Sequence, residues 1–184
     1  MSALAIHPAS VQTDEELITA FRGGDERAAA HLVQRHASDL ARYLYGLGAP
    51  VADVDDLTQE AFYRAFRAAG SFRGESSFKA WLFRIGANAA RDHHRRTRKR
   101  VVLSLEGQDL VAEADPAGEA EAGEARDRLL GALKRLPPKQ RDVFLLRAQQ
   151  GLSYEEIAGS LGTTPGAARV HYHHAVKRLK EAMA

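Results

Sequence analysis

The apolar residues of this chain recur three and four positions apart almost throughout, and no β-branched run alternates with polar residues. That periodicity predicts helices and no sheet. Thr13, with Glu16 three residues on, has the form of a capping box and opens a helix through Phe21, which Gly23 and Gly24 stop. Asp25 caps a second helix with Ala29, Leu32, Val33, Leu40, Tyr43 and Leu44 at helical spacing, ended by Gly46, Gly48 and Pro50. A third helix starts near Asp53. Its buried stripe is Val54, Leu57, Ala61, Ala65 and Ala68, with Phe62 at the margin. The opposite side carries Asp56, Gln59, Glu60, Tyr63, Phe66 and Arg67. Gly70 ends this helix, and Ser76 or Ser77 opens a long fourth one, with Phe78, Trp81, Leu82, Ile85 and Ala89 as its core positions.

From Ser104 to about Glu121 the pattern lapses into Ala, Gly and acids, too poor in apolar surface to pack alone. It resumes near Ala122 with Leu129, Leu130, Leu133 and Leu136. Pro137-Pro138 breaks that helix, Pro138 suits the first turn of the next, and Gly151 closes it. Ser153 and Glu156 form a second capping box. Ile157, Ala158 and Leu161 face inward, Leu161-Gly162-Thr163 makes a tight turn, and Thr164 caps a last helix with Pro165 at its first position. This is a helix-turn-helix pattern. The expected fold is all-α: a flexible tail at 1–12, a helical domain at 13–100, an acidic flexible linker at 101–121, and a helix-turn-helix domain at 122–184.

The net charge of +2 says little, but its placement is uneven. Arg91 to Arg100 holds five Arg and one Lys against a single acid, Asp92. Val101 to Ala125 holds no Lys or Arg and seven acids: Glu106, Asp109, Glu113, Asp115, Glu119, Glu121 and Glu124. Such blocks indicate separate electrostatic tasks along the chain. With no cysteine, disulfides, Cys-based zinc sites and thiol catalysis are excluded. No apolar run approaches the roughly 18 residues of a membrane span, so no membrane insertion and a cytoplasmic location are expected.

Three surfaces carry candidate chemistry. On the fourth helix, Arg84, Asn88, Arg91, Arg95 and Arg98 fall within about 80° of one another at 3.6 residues per turn. An Arg stripe without interleaved acids suits phosphate, with Asn88 free to bond a base. The preceding loop offers Phe72, Arg73 and Ser76, groups suited to an unstacked base. On the last helix, Ala168, Tyr172, Ala175 and Leu179 pack inward. Gly166, Arg169, Val170, His173 and His174 face the major groove, beside His171 and the phosphate-contacting Lys177, Arg178 and Lys180. His171, His173 and His174 lack metal-ligand spacing, so no metal and no cofactor are expected. The third surface is the acidic, aromatic face of the third helix. Folding alone does not explain Tyr63 and Phe66 there, whereas a protein interface does.

In this order the motifs resemble the extracytoplasmic-function group of bacterial RNA polymerase sigma factors. DVDDLTQEAFYRAFR is similar to the group's core-polymerase-binding segment, and FRGESSFKAWLFRIGANAARD to the segment that engages and melts the −10 promoter element. The stretch from LPPKQRDVF through AVKRL resembles the domain that reads the −35 element. The resemblance implies that Asp55, Asp56, Gln59, Glu60, Phe62 and Arg64, with Tyr63 and Phe66 beside them, dock on the polymerase clamp. It places Phe72, Arg73, Ser76 and the Arg/Asn stripe at the −10 element, and Thr164, Gly166, Arg169, Val170, His171, His173, His174, Lys177 and Arg178 at the −35 element. The implied protein is a non-catalytic specificity subunit. Its partners are core RNA polymerase and promoter DNA, with an anti-sigma factor as a further candidate. The competing reading is a stand-alone helix-turn-helix regulator. A nucleic-acid enzyme such as a recombinase lacks a nucleophile or a metal carboxylate cluster.

Family members often carry Ser, Arg and Arg where this chain has Val170, His171 and His174. Imidazoles in place of permanent charges weaken phosphate contact near neutral pH. Promoter binding is therefore expected to strengthen as pH falls toward about 6. A binding titration that is flat with pH would count against it.

Overall fold

The computed structural model describes residues 12–104 and 120–183, with side chains at 12–97, 124 and 127–183. The tail at 1–11 and the linker at 105–119, with most of its acids, lie outside the described residues. Within them the chain forms eight α-helices. The first group is α1 (Asp14–Arg22), α2 (Glu26–Gly46), α3 (Val51–Arg67) and α4 (Phe78–Ser104), with a 3₁₀ turn at Ala69–Ser71 before α4. The second is α5 (Ala120–Arg135), α6 (Pro138–Phe144), α7 (Tyr154–Leu161) and α8 (Pro165–Met183), with a π-helical turn at Leu145–Gln149 after α6.

Local chemistry sets most of the boundaries. Thr13 Oγ1 accepts from Glu16 N–H at 3.2 Å, and the Glu16 carboxylate accepts from Thr13 N–H at 2.7 Å. Ser153 and Glu156 repeat this box at 3.1 and 2.8 Å. Each box satisfies two backbone donors that the first helical turn leaves open. Ser77 Oγ accepts from Ala80 N–H and opens α4. Gly162 sits at φ +62°, the left-handed cap that lets α7 turn into α8.

Some boundaries differ from the sequence expectation. Helix α3 begins at Val51, two residues early, because Pro50 already supplies an N-cap backbone at φ −57°. Helix α4 runs on through Ser104, into the stretch expected as linker from 101. Gln12, expected in the tail, is held by Arg35 Nη2, which donates to its carbonyl at 3.0 Å.

The core is continuous. In the first group Leu32, Leu40, Tyr43, Leu44, Phe78, Leu82 and Phe83 are fully buried. In the second, Leu133, Leu136, Val143, Leu146, Ile157, Ala168, Ala175 and Leu179 are buried. Both sets belong to one cluster, so the two domains pack directly on each other. Leu129 stays 38% exposed, because the buried stripe of α5 runs through Ala132, Leu133 and Leu136 instead. Leu161, expected inward, is half-buried.

Helix α1 is pinned by charge as well as by Leu17 and Ile18. Asp14 Oδ1 accepts from Arg35 Nη1 at 2.5 Å, and Asp14 Oδ2 lies 2.6 Å from Nε2 of the buried His36. Partial burial pushes the Asp14 carboxyl up, but the His36 and Arg35 contacts outweigh it and hold it below its ordinary 3.8. A depressed carboxyl contributes stability above its unfolded value and loses it as pH falls through the folded one. Asp14→Asn is thus expected to destabilise by about 1–2 kcal/mol at neutral pH, with the deficit closing below about pH 4. Urea titrations across that range would refute this if the deficit persisted unchanged in acid.

Candidate functional surfaces

The outer face of α3 presents Asp55, Asp56 and Gln59 to solvent, with Tyr63 57% exposed beside them. Arg67 Nη1 donates to Tyr63 Oη at 3.1 Å, and its guanidinium lies 5.7 Å from the ring centroid. Glu60 is half-buried and accepts from Arg64 Nε at 2.7 Å. Arg64 Nη1 also donates to Asp92 of α4 at 3.3 Å. The Glu60 hydrogen bond is the main cause that raises the Arg64 pKa, with Asp92 adding to it. Arg64 therefore clamps α3 to α4.

Two aromatic expectations are corrected. Phe62 is 5% exposed and belongs to the core. Phe66, expected on the wet face, is half-buried, with its ring 4.9 Å from Phe21 of α1. Helical angle alone put Phe66 outward, and α1 then covered that edge. Tyr63 is the aromatic that α3 leaves open among the described residues.

The loop before α4 is also more inward than expected. Phe72 is 8% exposed, packed 5.2 Å from Trp81 and 6.1 Å from Phe78. It supports a cleft of about 340 Å³ lined by Ser71, Phe72, Arg73, Glu75, Ser76, Trp81, Arg84 and, from α7, Gly159. Gly74 at φ +72° makes the turn that brings Arg73 and Glu75 to its rim.

Arg84, Asn88, Arg91 and Arg95 are all exposed along one side of α4, and the Arg98 side chain lies outside the described residues. The stripe is not free of acids. Arg95 Nη2 donates to Asp92 at 3.2 Å, while Arg91 donates to Asn88 at 2.7 Å and to Asp142 of α6 at 2.9 Å. Asp142 is 5% exposed, and burial pushes its carboxyl up although Arg91 and then Arg141 pull it back. Sequence reading missed Asp142. Its signal was present: it stands three and four residues before the buried Leu145 and Leu146, and a buried acid calls for a cation.

In the helix-turn-helix, Ala167 N–H donates to Thr164 Oγ1 at 3.1 Å and starts α8. Ala168, Ala175 and Leu179 are buried, and Tyr172 packs 6.0 Å from Phe144. Gly166, Arg169, Val170, His173, His174, Lys177 and Arg178 are exposed, and His171 is half-buried. The Arg169 guanidinium lies 5.2 Å from the Tyr154 ring centroid, which steadies it at the entry to the face.

The chain thus combines an open acidic face, a basic helix with a polar cleft, and a helix-turn-helix with an exposed reading face. A family description, Sigma-70 region 2, matches residues 32–100, and another, Sigma-70 region 4, matches residues 126–179. The RNA polymerase sigma factor NccH of Alcaligenes xylosoxydans xylosoxydans is 35% identical over 156 residues, covering 82% of this chain and 84% of that one. The ECF RNA polymerase sigma-E factor of Escherichia coli K12 is 34% identical over 171 residues, covering 85% and 87%. Among solved structures, CnrH in complex with the cytosolic domain of CnrY superposes with a TM-score of 0.73 at 30% identity, over 92% of this chain and 96% of that one. The sigma factor RpoE of Bartonella quintana, solved with the anti-sigma factor NepR, gives a TM-score of 0.69 at 25% identity, over 84% and 95%. The chain belongs to the extracytoplasmic-function group of RNA polymerase sigma factors. It is an alternative sigma factor that binds core RNA polymerase and directs promoter-specific initiation, and the stand-alone regulator is not favoured.

The burial difference between neighbouring aromatics gives a stability test. Phe62→Ala is expected to cost about 3–5 kcal/mol, as core aromatic truncations do. Tyr63→Ala is expected to cost under about 1 kcal/mol. Comparable losses for both in urea unfolding would contradict the placement of Phe62.

Proposed function

We propose a division of labour between two domains, 13–100 and 122–184. The α3 face with Asp55, Asp56, Gln59 and Tyr63 docks on core polymerase. Glu60, Arg64 and Phe62 shape that face from beneath. The α8 face, led by Arg169, Val170, His173 and His174, reads the upstream promoter element in duplex DNA, with Lys177 and Arg178 on phosphates. Arg84, Asn88, Arg91 and Arg95 follow the backbone of the downstream element, and the cleft beside Arg73, Ser76 and Phe72 takes an unstacked base. Flipping a base costs a few kcal/mol, which contacts in such a cleft offset. The subunit thus acts through binding energy, without bond-making chemistry of its own, alongside polymerase in the cytoplasm.

The observation that supports this reading best is Tyr63, held 57% exposed within an acidic face. A large aromatic ring exposed on the outer side of α3, met by Arg67 alone through ring and hydrogen-bond contacts among the described residues, suits a partner's surface. Because CnrH and the Bartonella RpoE were solved with CnrY and with the anti-sigma factor NepR, a protein inhibitor is the further partner we assign.

In vitro transcription with purified core polymerase tests the whole reading. Replacing Asp56, Gln59 and Glu60 together by Ala is expected to weaken core capture at least tenfold, about 1.4 kcal/mol or more. Far-ultraviolet circular dichroism should remain unchanged. Undiminished pull-down of core by the triple variant would remove α3 as the docking face.

A further inference from the structure

The helix-turn-helix carries an aromatic ring at the border between its core and its reading face. Tyr154 is the first residue of α7, and the Ser153–Glu156 capping box fixes its backbone. Its ring is half-buried. It meets Tyr172 of α8 edge to face at 6.2 Å, and Tyr172 stacks on Phe144 of α6 at 6.0 Å. Two guanidiniums lie over the same ring. Arg147 stands 4.9 Å from its centroid, and Arg169 of α8 stands 5.2 Å from it. Two like charges drawn to one ring need an attraction that offsets their repulsion, and the negative face of the aromatic supplies it.

The two guanidiniums use their donors differently. Arg147 Nη1 donates to the Leu152 carbonyl at 2.8 Å, which ties it to the backbone just ahead of α7. Arg147 comes from the π-helical turn at Leu145–Gln149, a rare local geometry found mostly at functional sites. Arg169 makes no hydrogen bond or ion pair among the described residues. All its N–H donors therefore stay open. A carboxylate partner would hold this side chain too, but it would occupy those donors. Contact with a ring holds the guanidinium without using one.

Arg169 sits about one turn into α8, at the end of a recognition helix from which base edges are reached. Its fork of donors matches the two acceptors of a guanine in the major groove only in a defined plane and direction. An exposed Arg otherwise samples many rotamers, which binding must freeze.

We propose that Tyr154 is a positioning residue for recognition of the upstream element. Anchored by Arg147 and Tyr172, its ring pre-sets the Arg169 guanidinium toward a guanine edge, so the preference at one base pair depends on a residue outside the recognition helix. The inference rests on α8 being the upstream reading face. Lys177 and Arg178 lie about two turns further along α8, so their contact with phosphate does not depend on Tyr154.

Holoenzyme reconstituted from core polymerase and the full-length chain tests this on a promoter library randomised across both elements. Sequencing the promoters retained in open complexes gives the base preference at every position. Arg169→Ala is expected to lose about ten- to hundredfold discrimination at one guanine-containing upstream base pair. Tyr154→Leu is expected to lose about three- to tenfold at that same base pair and little elsewhere. Tyr154→Phe keeps the ring and should keep the preference. Combining Tyr154→Leu with Arg169→Ala should add no further loss there, because the side chain through which Tyr154 acts is gone. Arg147→Ala, which leaves the Tyr154 side chain in place, should fall between Tyr154→Phe and Tyr154→Leu, and it carries the test if Tyr154→Leu proves unfolded by circular dichroism. In the free chain, the Arg169 Nε–H resonance, assigned by its loss in Arg169→Lys, should shift when Tyr154→Leu removes the ring and stay in place in Tyr154→Phe. An equal loss at every base pair, or additive losses in the double variant, would make Tyr154 a packing residue only and overturn the proposal. So would a loss in Tyr154→Phe as large as that in Tyr154→Leu. If Arg169→Ala leaves every upstream preference unchanged, it is the placement of Arg169 on the upstream element that fails, and the proposal falls with it.

Discussion

The architecture depends on how closely α4 approaches α2. At Gly86 an added Cβ would lie 2.8 Å from a Leu40 methyl and 3.6 Å from one of Leu44, so the helices meet where one has no side chain. That approach lets Phe83 stack 5.1 Å from Tyr43, with both rings fully buried. It also fixes the rotation of α4 about its own axis. Once Phe78, Leu82, Phe83 and Gly86 face inward, the helical repeat turns Arg84, Asn88, Arg91 and Arg95 outward together. Packing, not charge, aims the basic stripe.

The same constraint sorts the aromatic residues. Phe72, Phe78 and Trp81 form a cluster whose rings touch at 5.2 to 6.1 Å. Its work is to hold the loop at Arg73 and Ser76 in shape, so the polar rim is presented on a stiff base. Phe62 and Phe66 do the equivalent for α3, against the core and Phe21. Tyr63 escapes because it sits on the side of α3 opposite the buried Leu57, Ala61 and Ala65, where Arg67 one turn on meets both its hydroxyl and its ring. The two surfaces therefore rest on packed rings, with polar groups at their rims.

Much of this was legible in the sequence, and what was legible was local. The boxes at Thr13–Glu16 and Ser153–Glu156, the Pro138 start and the Gly162 turn depend on residues within a few positions of one another. The exposed face of α8 followed from winding one helix. What escaped depends on residues far apart in the chain. Phe66 is covered by α1, which no periodicity within α3 reveals. On α4, the acid that meets Arg95, Asp92, was local, but the one that meets Arg91, Asp142, stands 51 positions away in sequence. A linker between two helical domains reads as a tether, but whether the domains touch is decided by surfaces such as Gly46 against Leu145, where the signal is a single missing Cβ.

The packing of the domains also explains where polar groups sit awkwardly. Among the described residues, Tyr43 Oη, Gln140 Oε1, Arg141 Nε and Gln150 Oε1 are buried without a hydrogen-bond partner, and Tyr43, Arg141 and Gln150 lie close to the line where the second domain meets α2 and α4. Burial raises the Tyr43 hydroxyl pKa strongly, with Asp142 adding to it and Arg91 and Arg141 opposing, which places that hydroxyl within the field of the Arg91–Asp142 pair. Unsatisfied buried groups each cost about 1–3 kcal/mol. A seam that gathers several of them is held by apolar contact and weakened by its polar part.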